Sequence, residues 1–309
     1  MPKYTEFRLA AIQAAPVYFD RQASAQKACD LIREAGAKGA TIAAFSETWL
    51  PGYPFFVWLH PSAAIEEQIR ADYLASAVEI PSPTTEQLCQ AAREANIEVV
   101  IGVAERERST LGTVYCTLLF ISNEGVILGR HRKLKPTDME RTAWGEGDGS
   151  SLTVYERPYG RISGLNCWEH NMVLPGYALM TQGTQIHVAA WPGTTTSRHQ
   201  YLSQAFASQA AAYVIDVGAL LSTSDIPEAY RELDRPMPGE SCIIDPFGHV
   251  IAGPAKGETI LLADGSSEKI YAAKTECDVG GHYSRPDIFQ LHINRTPLRR
   301  VVETWSEDD

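Results

Sequence analysis

The 309-residue chain is 44% hydrophobic and 21% charged, ordinary values for a globular enzyme and long enough to bury a sizeable core. Its formal net charge of −11 argues against nucleic-acid or anionic-membrane partners, which need clustered Lys and Arg. Cysteines at 29, 89, 116, 167, 242 and 277 are far apart and form no C-x-x-C, so neither a disulfide framework nor a zinc pattern is present.

No apolar run approaches the roughly 18–20 residues of a membrane span. The start, MPKYTEFRLAAIQ, lacks the apolar region and cleavage site of a signal peptide. The compartment read from these features is reducing and cytoplasmic.

Strand-like and helix-like segments alternate at first. FRLAAIQAA (7–15) reads as a strand, followed by an amphipathic helix over 24–35 that Gly36 and Gly39 end. TIAAF (41–45) is a short apolar run leading into Glu47. Helical stretches over 64–77 and 84–95 precede the strand IEVVIGVAE (97–105). TVYCTLLFIS (113–122), an Asn-Glu-Gly turn and VILGRHRK (126–133) read as consecutive strands.

The second half is similar in style. Strands are expected over 160–167, 184–191 and 213–220, with helices over 174–182 and 199–212. ESCIIDPFGHVIAG (240–253) reads as a hairpin turning at Pro246-Phe247-Gly248, and Asp148-Gly149 as a turn. Such a mixture suggests an α/β protein with helices layered around a mixed sheet or sheets. No linker or charge-block boundary divides it, and the end, 307–309, is acidic.

Glu47, Lys133 and Cys167 each lie at or just beyond the C-terminal end of an apolar run, where side chains from distant segments can meet around a ligand. A neighbouring ammonium lowers a thiol's pKa and a carboxylate can take its proton. The same lysine can stabilise charge that develops after attack on an electron-poor carbon, and the acid can protonate a leaving amine. Cys, Glu and Lys thus suffice for acyl transfer from a C–N compound without metal or cofactor. Taken singly, each has a plainer reading as core thiol, solvated acid or turn decoration; Cys29, Cys89, Cys116 and Cys242 are read as core. Cys167 with His170 resembles half of a metal site, but no second pair completes a tetrahedron.

Longer patterns narrow the choice. FSETWLPGYP (45–54), HRKLKPTDMERTAWGEGDGS (131–150), CWEHN (167–171) and GHYSRPD (281–287) resemble, in order, signature segments of the nitrilase branch of the carbon–nitrogen hydrolase superfamily. The resemblance implies an α-β-β-α sandwich forming one domain over 1–294, with a short tail over 295–309. It implies Cys167 as nucleophile, Glu47 as general base, Lys133 as the lysine and Glu140 as a second glutamate. Tyr53 and Trp168, beside these positions, and Trp191, at another strand end, are candidate substrate-binding walls, favouring aryl or arylaliphatic nitriles. His282 and Arg285 are expected to secure the final segment against the core.

The implied reaction is hydrolysis of a nitrile to acid and ammonia, with some amide by-product. The alternatives are an amidase or N-carbamoylase, a cyanide-hydrolysing enzyme, or a non-catalytic scaffold. Family members pair into homodimers and often stack further, which the short tail argues against here. Two departures stand out: that tail, and Ser46 where proline is usual, a change expected to loosen the turn that aims Glu47.

Overall fold

The computed structural model describes residues 3–193, 198–233 and 235–302. In chain order its first half holds β1 (Glu6–Gln13), α1 (Arg21–Ala37), β2 (Ile42–Phe45), α2 (Ala63–Ser76), α3 (Pro83–Ala95), β3 (Glu98–Arg106), β4 (Val114–Ile121) and β5 (Ile127–Arg132). The second holds β6 (Tyr155–Arg157), β7 (Gly160–Asn166), α4 (Val173–Met180), β8 (Ile186–Trp191), α5 (Arg198–Ala210) and β9 (Tyr213–Gly218). The short strands β10 (Leu220–Leu221), β11 (Met237–Pro238), β12 (Cys242–Ile244) and β13 (Val250–Ala252) follow, then β14 (Thr259–Ser266) and α6 (Ser267–Glu276).

Strand periodicity explains the layering. Phe7, Leu9 and Ala11 of β1 face one apolar cluster, while Ala10 and Ile12 face another, as alternation with period 2 requires. β2 repeats this, with Ile42 and Ala44 on the first side and Ala43 and Phe45 on the second. Both faces are therefore apolar and both must be covered. One packs against Ile186, Val188, Ile215 and Val217 of the second sheet; the other packs against Ala25, Ile32 and Leu88 of α1 and α3. The second sheet's outer face carries Leu165, Ala189 and Val214 against Leu179, Phe206 and Ala207 of α4 and α5. Each large aliphatic side chain buried this way contributes about 1.5–3 kcal/mol.

The result is the expected α-β-β-α sandwich. One six-stranded sheet has the order β14-β1-β2-β3-β4-β5 and the other β13-β12-β9-β8-β7-β6, with β10 and β11 as a separate pair. β1, β2 and β3 are parallel, as are β7, β8 and β9. β4 runs against both β3 and β5, so β5 points the same way as β2 and their C-terminal ends share one edge.

Three details differ from expectation. α1 continues through Gly36 to Ala37; a Cβ at Gly36 would lie 2.8 Å from Ala95, so this glycine serves close packing against α3, and Gly39 at φ 80° follows the helix end. β14 and α6 were not anticipated. Arg285 does not anchor the final segment to the core: it pairs with Asp287 at 2.7 Å, both being exposed, and His282 is also exposed. Beyond it the chain does return to the body, where Leu298 N donates to Asp148 Oδ2 and Arg300 Nη2 to Tyr115 OH, both at 2.8 Å. The acidic residues 307–309 lie outside the described residues.

Candidate active site

Glu47 follows β2, but Lys133 leaves β5 three strands away, roughly 14 Å at ordinary strand spacing. The chain after β2 closes that gap by folding over β3. Leu50 N donates to Gly102 O at 3.0 Å and Ala104 N to Leu50 O at 2.8 Å. Only glycine fits at 102, because a Cβ there would lie 2.1 Å from Ser46 O and 2.4 Å from Thr48 N. Ser46 is buried and its carbonyl accepts from Trp49 N at 3.3 Å, so the turn is held closed despite the missing proline.

Four predicted residues converge. Lys133 Nζ lies 2.7 Å from Glu47 Oε1 and 2.7 Å from Glu140 Oε2. Carboxylate oxygens of Glu47 and Glu140 and the Cys167 sulfur lie within 4.8 Å of one another. All four residues are buried, and Lys133 also sits 5.3 Å from the centre of the Trp144 ring. Glu140 is saturated, accepting from Lys133, from Thr137 N at 2.7 Å and from Tyr53 OH at 2.8 Å. Glu47 is not: Oε1 accepts from Lys133 and from the Cys116 thiol at 3.3 Å, while Oε2 is buried with no hydrogen-bond partner among the described residues.

The two glutamates and the cysteine could offer three ligand atoms to a metal ion. The Lys133 ammonium, however, already stands where a cation would neutralise both carboxylates.

Burial pushes the Glu47 carboxyl up to about 8, with Glu140 adding to the rise and Lys133 opposing it. Burial alone would lower Lys133, but the negative forms of Cys167, Glu47 and Glu140 outweigh it and hold the ammonium charged. The Cys167 thiol is raised by burial, against which Lys133 and the Trp168 backbone amide favour the thiolate. A cluster with one ammonium and two acids keeps a mobile proton that can pass between carboxylate and sulfur.

Cys167 begins a 3-10 turn (Cys167–Asn171) at φ 50°, a left-handed conformation costing about 1–3 kcal/mol for a non-glycine residue. Neighbouring groups hold it. Glu169 accepts from Asn166 N at 2.8 Å, from Leu134 N at 2.8 Å and from His131 Nε2 at 3.0 Å, tying the residue before the cysteine to the residue after the lysine. Burial would raise the Glu169 carboxyl, but His131 and the two amides keep it below its usual range. On the other side His170 Nδ1 meets Cys167 O at 2.8 Å, and its Nε2 meets His187 Nε2 at 3.0 Å. His187 Nδ1 lies 2.7 Å from Ser163 Oγ. With Ser163 and His187 donating in turn, His170 donates to the Cys167 carbonyl. Its ring is thus committed to the backbone and is no metal partner for the thiol.

Tyr53 is buried with its hydroxyl on Glu140, and Trp58 Nε1 donates to that hydroxyl at 2.8 Å. Trp168 is half-buried against the outer cluster of the second sheet. Trp191 is 1% exposed, stacks on His170 at 5.1 Å and donates to Ser203 Oγ at 3.3 Å. Sequence reasoning missed Cys116, His131, Glu169 and His187. Glu169, two residues beyond the cysteine, and His131, two before the lysine, had a signal in their spacing; Cys116 and His187 are brought in through pairings distant in sequence.

Known proteins resemble this chain over the same span. The carbon-nitrogen hydrolase family model matches residues 8–275. "Nitrilase 2" of an unknown prokaryotic organism is 56% identical over 307 residues, covering 98% of this chain and 97% of that protein. An aliphatic nitrilase of Sinorhizobium fredii (strain HH103) is 40% identical over 316 residues, covering 96% and 99%. The C. elegans NitFhit structure superposes with a TM-score of 0.76 at 20% identity, over 97% of this chain and 70% of that one, which speaks for the fold. The chain belongs to the nitrilase branch of the carbon–nitrogen hydrolase family.

Proposed function

We propose that this protein is a nitrilase in which Cys167 is the nucleophile, Glu47 the general base and acid, Lys133 the stabiliser of developing charge and Glu140 its second carboxylate. Whole-chain likeness to nitrilases at 56% and 40% identity supports nitrile hydrolysis. The observation that carries the residue roles is the buried cluster in which one ammonium bridges two carboxylates beside a thiol.

Glu47 takes the thiol proton as the sulfur bonds to the nitrile carbon, and passes it to the nitrile nitrogen, which gives a thioimidate and frees the carboxylate again. Water gives a proton to Glu47 as it adds to that carbon, and Lys133 stabilises the tetrahedral species. Ammonia leaves with the proton that Glu47 returns and the proton of the added hydroxyl, the thioester remains, and a second water releases the carboxylic acid and the thiol. Loss of the thiol ahead of ammonia yields the amide instead. Tyr53 acts through Glu140, and Trp168, next to Cys167 and half-buried, is the tryptophan proposed to touch substrate.

Ammonia release from aliphatic dinitriles and arylacetonitriles, compared with the matching amides and with cyanide, tests the reading. Turnover of nitriles with Cys167→Ala inactive is expected; amides hydrolysed in preference, or substantial acid from Cys167→Ala, would overturn it. The assembly proposed is a homodimer, since Val173 and Leu174 of α4 and Tyr201 of α5 are exposed apolar side chains; light scattering decides it. No helix among the described residues is long and apolar enough to cross a membrane. A cytoplasmic location is proposed on the same terms.

A further inference from the structure

A second thiol lies in the catalytic cluster. Cys116, in the middle of β4 and 0% exposed, directs Sγ at Glu47 Oε1 from 3.3 Å. Its backbone carbonyl accepts the amide of Lys133 at 2.8 Å. One residue thus grips the glutamate by its side chain and the lysine by its main chain. With Lys133 Nζ at 2.7 Å on the same oxygen, Oε1 is occupied by two donors, whereas Oε2 is buried and has no partner among the described residues. A carboxylate so held has one free oxygen and one orientation.

We propose that Cys116 is a positioning residue for the general base: its thiol, with Lys133, locks Glu47 through Oε1 and leaves Oε2 to take the nucleophile's proton and to activate water. The inference rests on Glu47 being the base, as proposed above. A thiol suits the place because S–H is a weak donor that holds a carboxylate without making it a poor base. Burial pushes the Cys116 thiol up, so it remains an S–H and does not compete with Cys167 as a thiolate. The groups facing Glu47 are Lys133 after β5, Glu140 beyond it, Cys167 after β7 and Cys116 of β4, with Tyr53 and Tyr73 around them. Cys116 is the one that donates from a neutral group, so replacing it leaves the charges of the cluster unchanged.

The sign follows from what the donor stabilises. A hydrogen bond to the ionised carboxylate lowers its pKa, so removing the donor raises it and Glu47 stays protonated to higher pH. The experiment is the pH dependence of Cys167 alkylation by iodoacetamide, mapped by mass spectrometry, for the wild type, Cys116→Ser, Cys116→Val and Glu47→Gln, with kcat/KM for a nitrile in parallel. Cys116→Val should move the acid limb up by about half to one pH unit, a loss of roughly 3–10-fold in rate below it, with KM little changed. Cys116→Ser, a stronger donor, should move the limb below that of the wild type.

A Cys116→Val limb that coincides with the wild type would overturn the inference. Should Cys116→Val not fold, a Cys116→Ser limb that is not below the wild type overturns it. If Glu47→Gln keeps the wild-type limb, the assignment of the base falls and this inference with it. Shifts in alkylation without nitrile turnover would sink the nitrile reading and leave the role of Cys116 standing.

Discussion

A glutamate shut away from water, with an ammonium 2.7 Å from one oxygen and a second carboxylate nearby, is pulled two ways. Burial and Glu140 favour the acid form; Lys133 favours the anion. Burial wins, and the carboxyl moves up to about 8, which suits a group that must both accept and return protons near neutral pH. The consequence is measurable. Below this range Glu47 keeps its proton and cannot take another from Cys167, so kcat/KM should fall about tenfold per pH unit on the acid side. The limb should lie well above the ordinary carboxylate value, and a profile still flat at pH 5 would contradict the assignment. The contact with Cys116 was not visible in the sequence. Cys116 was read as a core cysteine, and it is buried; what spacing could not supply was that the turn after β2 crosses β3, with Gly102 letting those backbones touch, so that Glu47 meets Cys116 of β4.

At the level of elements, the site depends on how strand ends are tied together. Glu169 joins the end of β5 to the end of β7 through Leu134 N, His131 and Asn166 N. Glu169→Gln would present an amide NH2 to a donor that now has an acceptor, leaving a buried N–H unmatched at about 1–3 kcal/mol. The expected outcome is a kcat reduced about 10–100-fold with KM less affected, because the displaced atoms react more than they bind. Unchanged kcat would show the tie to be dispensable. The end of β7 was legible as an apolar run buried on both faces, and β5, mostly half-buried, because an Asn-Glu-Gly turn sets it off from β4. β14 was not: it lies at a sheet edge, most of its residues are half-buried or exposed, and Asp264-Gly265 interrupts it. α6 follows it directly, capped by Ser266, with no loop to mark the boundary.

For the molecule as a whole, the sandwich and the convergence at one edge followed from the resemblance, while the positions of Tyr53, Trp168 and Trp191 depended on side-chain packing that no local pattern encodes. The four central residues do not belong to one sheet: Glu47, Lys133 and Glu140 follow strands of the first, and Cys167 follows β7 of the second. Neither half of the chain can therefore carry a complete site. During refolding from denaturant, backbone order should be regained before reactivity, and Cys167 labelling with its native pH response should return only with the final docking of the two halves. Far-ultraviolet circular dichroism and quenched alkylation on one time axis would show that lag. A thiol reactive in the native manner while the layers are still apart would mean that the second half alone creates its activation. Placing the sulfur on a seam makes the site a reporter of assembly: the proposed nucleophile meets its acid and its ammonium only where the two sheets close on each other.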